Sequence, residues 1–415
     1  MSRRLLALLG LPFLMLSACG QVHPLQPAAA GYRLFLAEGM NATGVTVRDS
    51  GTGAVERHLP FGTPSPDWSR YYTVSGTHLS ALDPGSGKSL RQITIPAGFS
   101  LPDLSYSGLT SGLSPNGQWL TLVNHGNRSA TTSTEFLVGS SALTSPFTHL
   151  QLTGTYEFDA LSNDGKRLYL IQTLSDPHHY QVRLYDLATM SLAAQPVVDK
   201  REPNEPMNGL RGDSAADAAG NHVYTVYVRE SGPFIHALPL DEPIAWCIDL
   251  PSKAGGDLEK QWRWSLAMNR DGSTIYAANP VDGSVAVITP GEPPKVTRTA
   301  SVATRSGGGL FASLVTEAQA KGPLLGGAAL SADGQTLFAI GDSSLLAIDT
   351  STLKLRTRLL GGESLQSIRL SSDGKWLYAV GASSTKVWQI NPATGAVSEV
   401  KGVSQPWAVF WAEAK

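Results

Sequence analysis

A short motif that recurs along the chain constrains the fold more than any other feature. In each copy an apolar and a small polar residue precede Asp-Gly or Asn-Gly, and β-branched or aromatic residues follow. Asp-Gly and Asn-Gly favour the positive φ angles of a tight hairpin turn, and the residues after them favour a strand. The copies lie at residues 113–120, 161–170, 268–278, 330–340 and 370–380.

The spacing of the motif indicates an all-β ring. The copies sit in units of about 40 to 60 residues, which is typical of the four-stranded blades of a β-propeller. The second strands of the blades are predicted to begin near Tyr32, Arg70, Gln118, Lys166, Asn221, Ser273, Gln335 and Lys375. The count predicts a single propeller of eight blades, and seven is the alternative if the irregular first two units merge.

The two ends of the repeat region complement each other. The chain from Tyr32 starts at a second strand, whereas residues 404–411 read as an inner strand with nothing after it. We therefore expect the C-terminal strand to pair with the N-terminal blade, because closure removes free sheet edges. In that arrangement Trp407, Val409, Phe410 and Trp411 should be largely buried.

Composition supports a single domain that does not bind nucleic acid. Charged residues make up 16% of the chain, below the usual share of about 25%, and the formal net charge is −2. No basic stripe indicates a nucleic-acid partner. Each blade of a ring buries its faces against its neighbours, so residues 31–415 are predicted to form one propeller domain, and the protein is expected to be a monomer.

The N-terminus has the pattern of a secretory signal. Arg3 and Arg4 precede an apolar run at residues 5–16, which is too short for a bilayer span of about 20 residues. Residues 16–19, Leu-Ser-Ala-Cys, resemble the lipobox of bacterial lipoproteins. The resemblance implies a signal peptide over residues 1–18, a lipid on Cys19, and a lipidated tether over residues 19–30. It also implies that the protein is anchored to a membrane outside the cytoplasm. If the host has an outer membrane, the resemblance implies its periplasmic side, because Gly20 is not the aspartate that retains lipoproteins at the inner membrane. The other cysteine, Cys247, is predicted to be a buried thiol in a strand.

The regular C-terminal units resemble a known repeat. Residues 271–279 with 283–288, and the turns at 349–352 and 391–395, are similar to the YVTN-type β-propeller repeat also seen in YncE-like proteins. The resemblance covers roughly the last 150 residues well and implies a propeller, often outside the cytoplasm. It implies no single activity, because the shared residues build blades.

Strand alternation divides the connections between two faces of the ring. The first-to-second and third-to-fourth strand turns share one face, here the turn face, and the other connections share the opposite face, here the loop face. The longer connections, at residues 97–109, 125–134, 176–180, 201–209, 255–261 and 299–326, are on the loop face. Loops on a rigid scaffold usually carry binding. The residues predicted to bind at this face are Glu157, Asp159, Arg211, Asp213, Trp262, Arg263 and Trp407. The alternative is that the charged ones pair with each other around a watery channel.

No catalytic, metal or cofactor site is predicted. The histidines in Asp176-Pro177-His178-His179 are interpreted as solvated loop residues, because a metal needs three or four ligands. The insertion at 299–326 could contain a short helix at 310–320. No nucleophile elbow, phosphate loop or dinucleotide fingerprint occurs. The sequence therefore favours a binding or scaffold module for a protein or an envelope component. The alternative is an enzyme, a lactonase-like hydrolase or a cofactor-dependent oxidoreductase, with its site in the central funnel.

Overall fold

The predicted strands form eight sheets that follow one another around a ring. The coordinates are a computed structural model that describes residues 31–38, 44–102, 111–126, 133–175, 179–199, 207–253, 255, 257–302, 327–382 and 386–415. The predicted signal peptide, Cys19 with its tether, the helix at 310–320 and residues 200–206 lie outside these ranges. The eight-blade count is confirmed, because the first two units form separate sheets.

The first four blades take up residues 32–192. Blade 1 begins with β1 (Tyr32–Glu38), β2 (Gly44–Asp49) and β3 (Val55–Pro60). Blade 2 contains β4 (Thr63–Pro64), β5 (Tyr71–Ser75), β6 (His78–Leu82) and β7 (Ser89–Thr94). Blade 3 contains β8 (Trp119–Asn124), β9 (Ser133–Ser140) and β10 (Thr148–Thr153), with bridges from Ser100 and Leu113 at the inner edge of β8. Blade 4 contains β11 (Tyr156–Leu161), β12 (Arg167–Thr173), β13 (His179–Asp186) and β14 (Ser191–Leu192).

The remaining blades complete the ring. Two short strands precede blade 5. The strand β15 (Val198–Asp199) pairs with the outer strand of blade 5, and β16 (Met207–Asn208) pairs with β13. Blade 5 contains β17 (Leu210–Ala216), β18 (His222–Val228), β19 (Phe234–Pro239) and β20 (Ile244–Asp249). The helix α1 (Leu258–Gln261) precedes blade 6, which contains β21 (Ser265–Met268), β22 (Ile275–Asn279), β23 (Ser284–Thr289) and β24 (Lys295–Ser301). Blade 7 contains β25 (Ala328–Leu330), β26 (Thr336–Ile340), β27 (Leu345–Asp349) and β28 (Leu355–Leu359). Blade 8 contains β29 (Leu365–Leu370), β30 (Leu377–Gly381), β31 (Val387–Ile390) and β32 (Val397–Val400), and β33 (Pro406–Ala414) returns to blade 1.

The core lies between the blades. Successive side chains of a strand point to opposite faces of its sheet, so a strand between two interfaces must be apolar at every position. In β26, Leu337 packs against blade 6 and its neighbour Phe338 packs against blade 8. Eight apolar clusters lie at the eight blade interfaces. This double burial explains the continuous apolar runs that follow the hairpin turns.

The ring closes as predicted, through the last strand. β33 pairs antiparallel with β1 from Tyr32 opposite Ala414 to Glu38 opposite Pro406, and Val409 is fully buried. Phe410 and Trp411 are partly buried.

The predicted burial of Trp407 is wrong, because this side chain is 48% exposed. Ala408 pairs with Ala37 and Pro406 with Glu38, so Trp407 is the extra residue of a β-bulge. The bulge removes Trp407 from the alternation that buries its neighbours.

The described part of the chain contains no helix that could span a membrane. The only helix there, α1, has four residues.

Candidate functional site

Bulges in four inner strands change which side chains face the central channel. The extra residues are Asp159 in β11, one of the pair at 212–213 in β17, Gln366 in β29 and Phe410 in β33. A bulge turns a side chain out of the regular alternation, and bulges are common beside functional sites. The channel therefore receives side chains that a two-residue period would not assign to it.

Asp159 and Arg211 form an ion pair in the channel. Nη2 of Arg211 lies 3.2 Å from Oδ1 of Asp159, and Nη1 donates to the carbonyl oxygen of Phe158 at 3.4 Å. The Asp159 side chain is 4% exposed, and its Oδ2 is buried without a hydrogen-bond partner among the described residues. These two residues thus follow the alternative in which the predicted charges pair with each other.

Asp213 fastens two inner strands together. Its Oδ1 accepts from the backbone N–H of Ser214 at 3.0 Å, and its Oδ2 accepts from that of Leu266 in blade 6 at 2.7 Å. Arg369 of β29, which was not predicted, is the nearby cation. Burial lowers the pKa of Arg369, and the Asp213 carboxylate acts in the opposite direction. The signal that could have identified Arg369 was a charged residue inside a predicted inner strand.

The channel widens into a cavity of about 380 Å³ that reaches the turn face. Its inner end is lined by Asp159, Arg211 and Arg369, and its mouth by turns of blades 2, 3 and 5. Phe410 and Trp411 form an apolar part of its wall. The Trp411 ring stacks on Trp68, with ring centroids 5.5 Å apart and an interplanar angle of 8°. The cavity therefore combines paired charges with a rigid aromatic surface.

Two of the other predicted residues lie beside α1 at the loop face. Trp262 is the C-cap of α1, and Arg263 follows it. The helix is held in place by Gln261, which is fully buried and donates through Nε2 to the Gly255 carbonyl at 2.6 Å. Burial lowers the pKa of Arg263, while Asp342 and Glu259 act in the opposite direction.

The last two predicted residues start inner strands at the same face. Glu157, near the start of β11, has its Oε2 3.3 Å from Nε2 of His125. Trp407, at the start of β33, is 48% exposed. The seven predicted residues are therefore split between the channel, which holds Asp159, Arg211 and Asp213, and the loop-face mouth.

A buried polar cluster between blades 4 and 5 was not predicted. Tyr180 stacks on Tyr227 at 5.5 Å, and the ring of His236 meets that of Tyr227 edge-on at 5.8 Å. Burial lowers the pKa of His236, although the carboxylates of Asp159 and Asp199 oppose the change. Nδ1 of His236 lies 3.9 Å from Sγ of Cys247, which is buried as predicted.

The Asp176–His178 segment of the histidine motif lies outside the described residues. The interpretation of His179 as a solvated loop residue is wrong, because it is the partly buried first residue of β13, where it pairs with Asn208 of β16. Within the described part of the chain, no group of three or more His, Cys, Asp or Glu side chains is placed to hold a metal ion.

The chain was compared with known proteins. No family model matches it, and no curated protein matches it. Among solved structures, apo AztD from Citrobacter koseri is 12% identical with a TM-score of 0.57, covering 93% of this chain and 98% of that one. The dihydro-heme d1 dehydrogenase NirN in complex with DHE is 14% identical with a TM-score of 0.53, covering 93% and 75%. The periplasmic gluconolactonase PpgL of Pseudomonas aeruginosa is 16% identical with a TM-score of 0.45, covering 90% and 97%.

These comparisons define a class by its fold. The eight-bladed ring and the likeness to AztD and NirN make the protein a β-propeller. Identities of this size show the fold alone, and a propeller fold does not fix an activity.

Proposed function

We propose that the protein is a lipid-anchored envelope propeller that binds a protein or another envelope component through its loop face. The observation that carries the proposal is the exposure of Trp407 and Leu210, each 48% exposed at the loop-face end of an inner strand. The other large apolar side chains that are exposed in the described chain, Val55, Leu90 and Met190, lie on outer strands or in a third-to-fourth strand turn. Aromatic residues at a rigid, central position are the usual anchors of an interface.

The position of Gly31 supports an orientation in which the loop face points away from the membrane. Its carbonyl oxygen accepts from the backbone N–H of Lys415, and the next residue, Tyr32, contacts Asp373 in a turn of blade 8. A tether over residues 19–30 would therefore join the ring at the turn face. Twelve flexible residues have a root-mean-square length of about 20 Å, so the turn face would be held towards the membrane and the loop face would point away from it.

The test uses the full chain expressed in its host. Photo-crosslinkers placed at loop-face positions should capture a specific partner, and Trp407→Ser with Leu210→Ser should reduce capture at least tenfold. Leu90→Ser with Val55→Ser is the matched control, because it removes the same kind of exposed apolar surface from outer strands. Equal loss of capture in both double variants, or none in the first, would contradict a loop-face interface.

The longer connections and the anchor are tested separately. Replacing residues 201–206 and 303–326 with short Gly/Ser linkers leaves β16 and β24 in place. It should abolish capture while changing the free energy of unfolding by only about 1 kcal/mol. Cys19→Ala should move the protein from the detergent phase to the aqueous phase in phase partitioning, and unchanged partitioning would rule out the lipid anchor.

A second candidate function is an enzyme with its site in the channel, either a lactone hydrolase or an oxidoreductase. The buried Asp159–Arg211 pair beside the cavity favours it, since paired charges in a cleft are common in active sites. It predicts turnover that is lost in Asp159→Asn and kept in the Trp407→Ser and Leu210→Ser double variant.

A further inference from the structure

A histidine at the turn face lies between two carboxylates that belong to neighbouring blades. It is His222, the first residue of β18 in blade 5. Its Nδ1 lies 2.9 Å from Oδ2 of Asp217 in the preceding turn, and its Nε2 lies 3.1 Å from Oε1 of Glu292. Glu292 is in the turn between β23 and β24 of blade 6. The imidazole thus connects two blades at the face opposite to Trp407 and Leu210, so it does not depend on the proposed interface.

Both contacts are hydrogen bonds only when the imidazole ring carries two protons. A neutral imidazole has one N–H donor and one acceptor nitrogen, whereas an ionised carboxylate has acceptors only. A neutral His222 would therefore place a nitrogen lone pair about 3 Å from a carboxylate oxygen. The imidazolium donates to Asp217 and to Glu292 at the same time. The side chains of His222 and Asp217 are 20% and 15% exposed, and charges that are partly buried are screened less than exposed ones.

The groups around the imidazole favour its charged form. The hydrogen bond to Asp217 raises the pKa of His222, burial opposes this change, and the hydrogen bond to Glu292 raises the pKa further. The third titratable group at the imidazole is Tyr224, whose ring stacks on it with centroids 6.0 Å apart and an interplanar angle of 22°. Burial raises the pKa of Tyr224, so its hydroxyl stays neutral over the range in which a histidine titrates.

The two carboxylates are held differently. Oδ1 of Asp217 accepts from the backbone N–H of Asn221 at 2.8 Å, and the backbone N–H of Asp217 donates to the His222 carbonyl at 3.0 Å. These bonds fix Asp217 beside the ring. The Glu292 side chain is 44% exposed, so water can solvate its carboxylate. When His222 loses one proton, the remaining N–H is therefore expected to stay on Nδ1, and the lone pair of Nε2 then faces Glu292.

We propose that His222 is a pH-sensitive tie between blades 5 and 6, closed when the imidazolium donates to Asp217 and Glu292 and opened at Glu292 when the imidazole becomes neutral. Folding raises the pKa of His222 above its ordinary value of 6.5. The stabilisation is therefore complete below pH 6.5 and is lost as the pH rises through the folded-state pKa. The tie lies beside the mouth of the turn-face cavity, which Asp217 lines.

NMR of the full chain labelled with ¹⁵N-histidine tests the protonation of the ring, with His222→Gln used to assign the signals. His222 should titrate with a midpoint above 6.5 and should end as the Nδ1–H tautomer. Glu292→Gln should lower the midpoint. Glu242→Gln is the matched control, an exposed glutamate of blade 5 that does not act on the pKa of His222, and it should leave the midpoint unchanged. A midpoint at or below 6.5, or one that moves equally in both variants or in neither, would overturn the proposal.

Thermal unfolding tests whether the tie joins the blades. Glu292→Gln removes the charge at a partly exposed position and keeps the size of the side chain. Its Tm should be lower than that of the unaltered chain at pH 6, and the difference should vanish at pH 9, where Nε2 no longer donates. Glu242→Gln should not change the Tm at either pH. An equal loss at both pH values in Glu292→Gln, or no loss at pH 6, would show that His222 does not hold the blades together through Glu292.

Discussion

Single residues of the same type serve different purposes in this ring. The two carboxylate oxygens of Asp213 accept hydrogen bonds from backbone N–H groups of blades 5 and 6. Asp159 instead pairs with Arg211, and one of its oxygens has no hydrogen-bond partner in the described chain. Losing a buried acceptor costs the desolvation of its donors. Substitution of Asp213 is therefore expected to act on stability, and substitution of Asp159 on the cavity.

Tyr32 and Asp373 form a hydrogen bond across the seam between blades 1 and 8. The Tyr32 hydroxyl donates to Oδ2 of Asp373 at 2.8 Å. Burial opposes ionisation of Asp373, but hydrogen bonds from Ser371 and Tyr32 outweigh it and lower its pKa to about 2. Burial and the hydrogen bond to Asp373 raise the pKa of Tyr32 to about 12. The stabilisation from Asp373 is thus complete above its ordinary pKa of 3.8 and is lost as the pH falls through about 2. That from Tyr32 is complete below 10 and is lost as the pH rises through about 12.

Tyr32→Phe should lower the free energy of unfolding by about 1–2 kcal/mol at pH 7, because it removes a hydrogen bond to a charged, partly exposed acceptor. Urea unfolding at pH 7 and at pH 2–3 measures the effect, which should shrink at the lower pH as Asp373 takes up a proton. In an Asp373→Asn background the same substitution should cost less. An equal cost in both backgrounds would show that the hydroxyl stabilises the seam through another contact.

The residues of the channel could be predicted from the sequence only in part. Inner strands were located from the turns that follow them, and Asp159, Arg211 and Asp213 were predicted as site residues because they lie on these strands. Their separate uses depend on bulges, and a bulge is decided by packing against neighbouring blades, so no local pattern indicates it. The partner of Asp159 is 52 positions away in the chain, in the next blade, and pattern alone does not bring the two together.

At the scale of elements, the hairpin turn of the repeat has the same geometry in different blades. In the turns at Gly165 and Gly334, the glycine N–H donates to the carbonyl of the serine three residues earlier, and φ is +69° and +71°. The space around the two differs. A Cβ on Gly165 would lie 2.3 Å from the ring of Trp119, whereas on Gly334 the nearest atom is 4.0 Å away.

This pair separates backbone strain from crowding. Gly334→Ala should cost about 1–2 kcal/mol, the price of a left-handed conformation with a side chain. Gly165→Ala should cost a further 1–3 kcal/mol or so, because Trp119 must move. Thermal or urea unfolding of the two variants measures the difference. Equal destabilisation would mean that Trp119 yields without cost.

The elements themselves were well predicted where the turn chemistry is local. β26 and β30 begin at Thr336 and Leu377, one and two residues after the predicted positions, because Asp-Gly fixes where the hairpin reverses. Blade 3 was harder to predict. Its β8 is bridged at the inner edge by Ser100 and Leu113, which are separated by residues 101–112 in the sequence. The exposure of Trp407 was not predicted because it results from a bulge, as do the positions of the channel side chains.

On the scale of the whole molecule, the ring depends on its last strand. β33 buries Val409 and Ala412 against side chains of blades 1 and 8, and Ala408 is also fully buried. Lys415 adds ion pairs with Asp49 and Glu56 of blade 1. Loss of β33 would leave β1 and β29 without this neighbouring strand and would expose sheet edges.

Removing residues 403–415 should therefore cost most of a typical stability of about 5–15 kcal/mol and cause aggregation. Differential scanning fluorimetry and light scattering measure both effects. The Leu90→Ser variant, changed at an exposed position on β7, serves as the control and should behave like the full chain. A truncated protein that stays monomeric with an unshifted Tm would contradict closure through β33.

The pairing of β33 with β1 also means that β1 remains without its partner strand while the rest of the ring is synthesised. Arg33 and Glu413, which meet across this seam, are 380 positions apart. At a synthesis rate of about 5–20 residues per second, β1 waits roughly 20–80 s for its partner strand. Blades 2 to 8 can pair internally as they are made, but the first blade cannot be completed until β33 has been synthesised. Any factor that protects this chain during its production would therefore be needed at β1 until β33 is available.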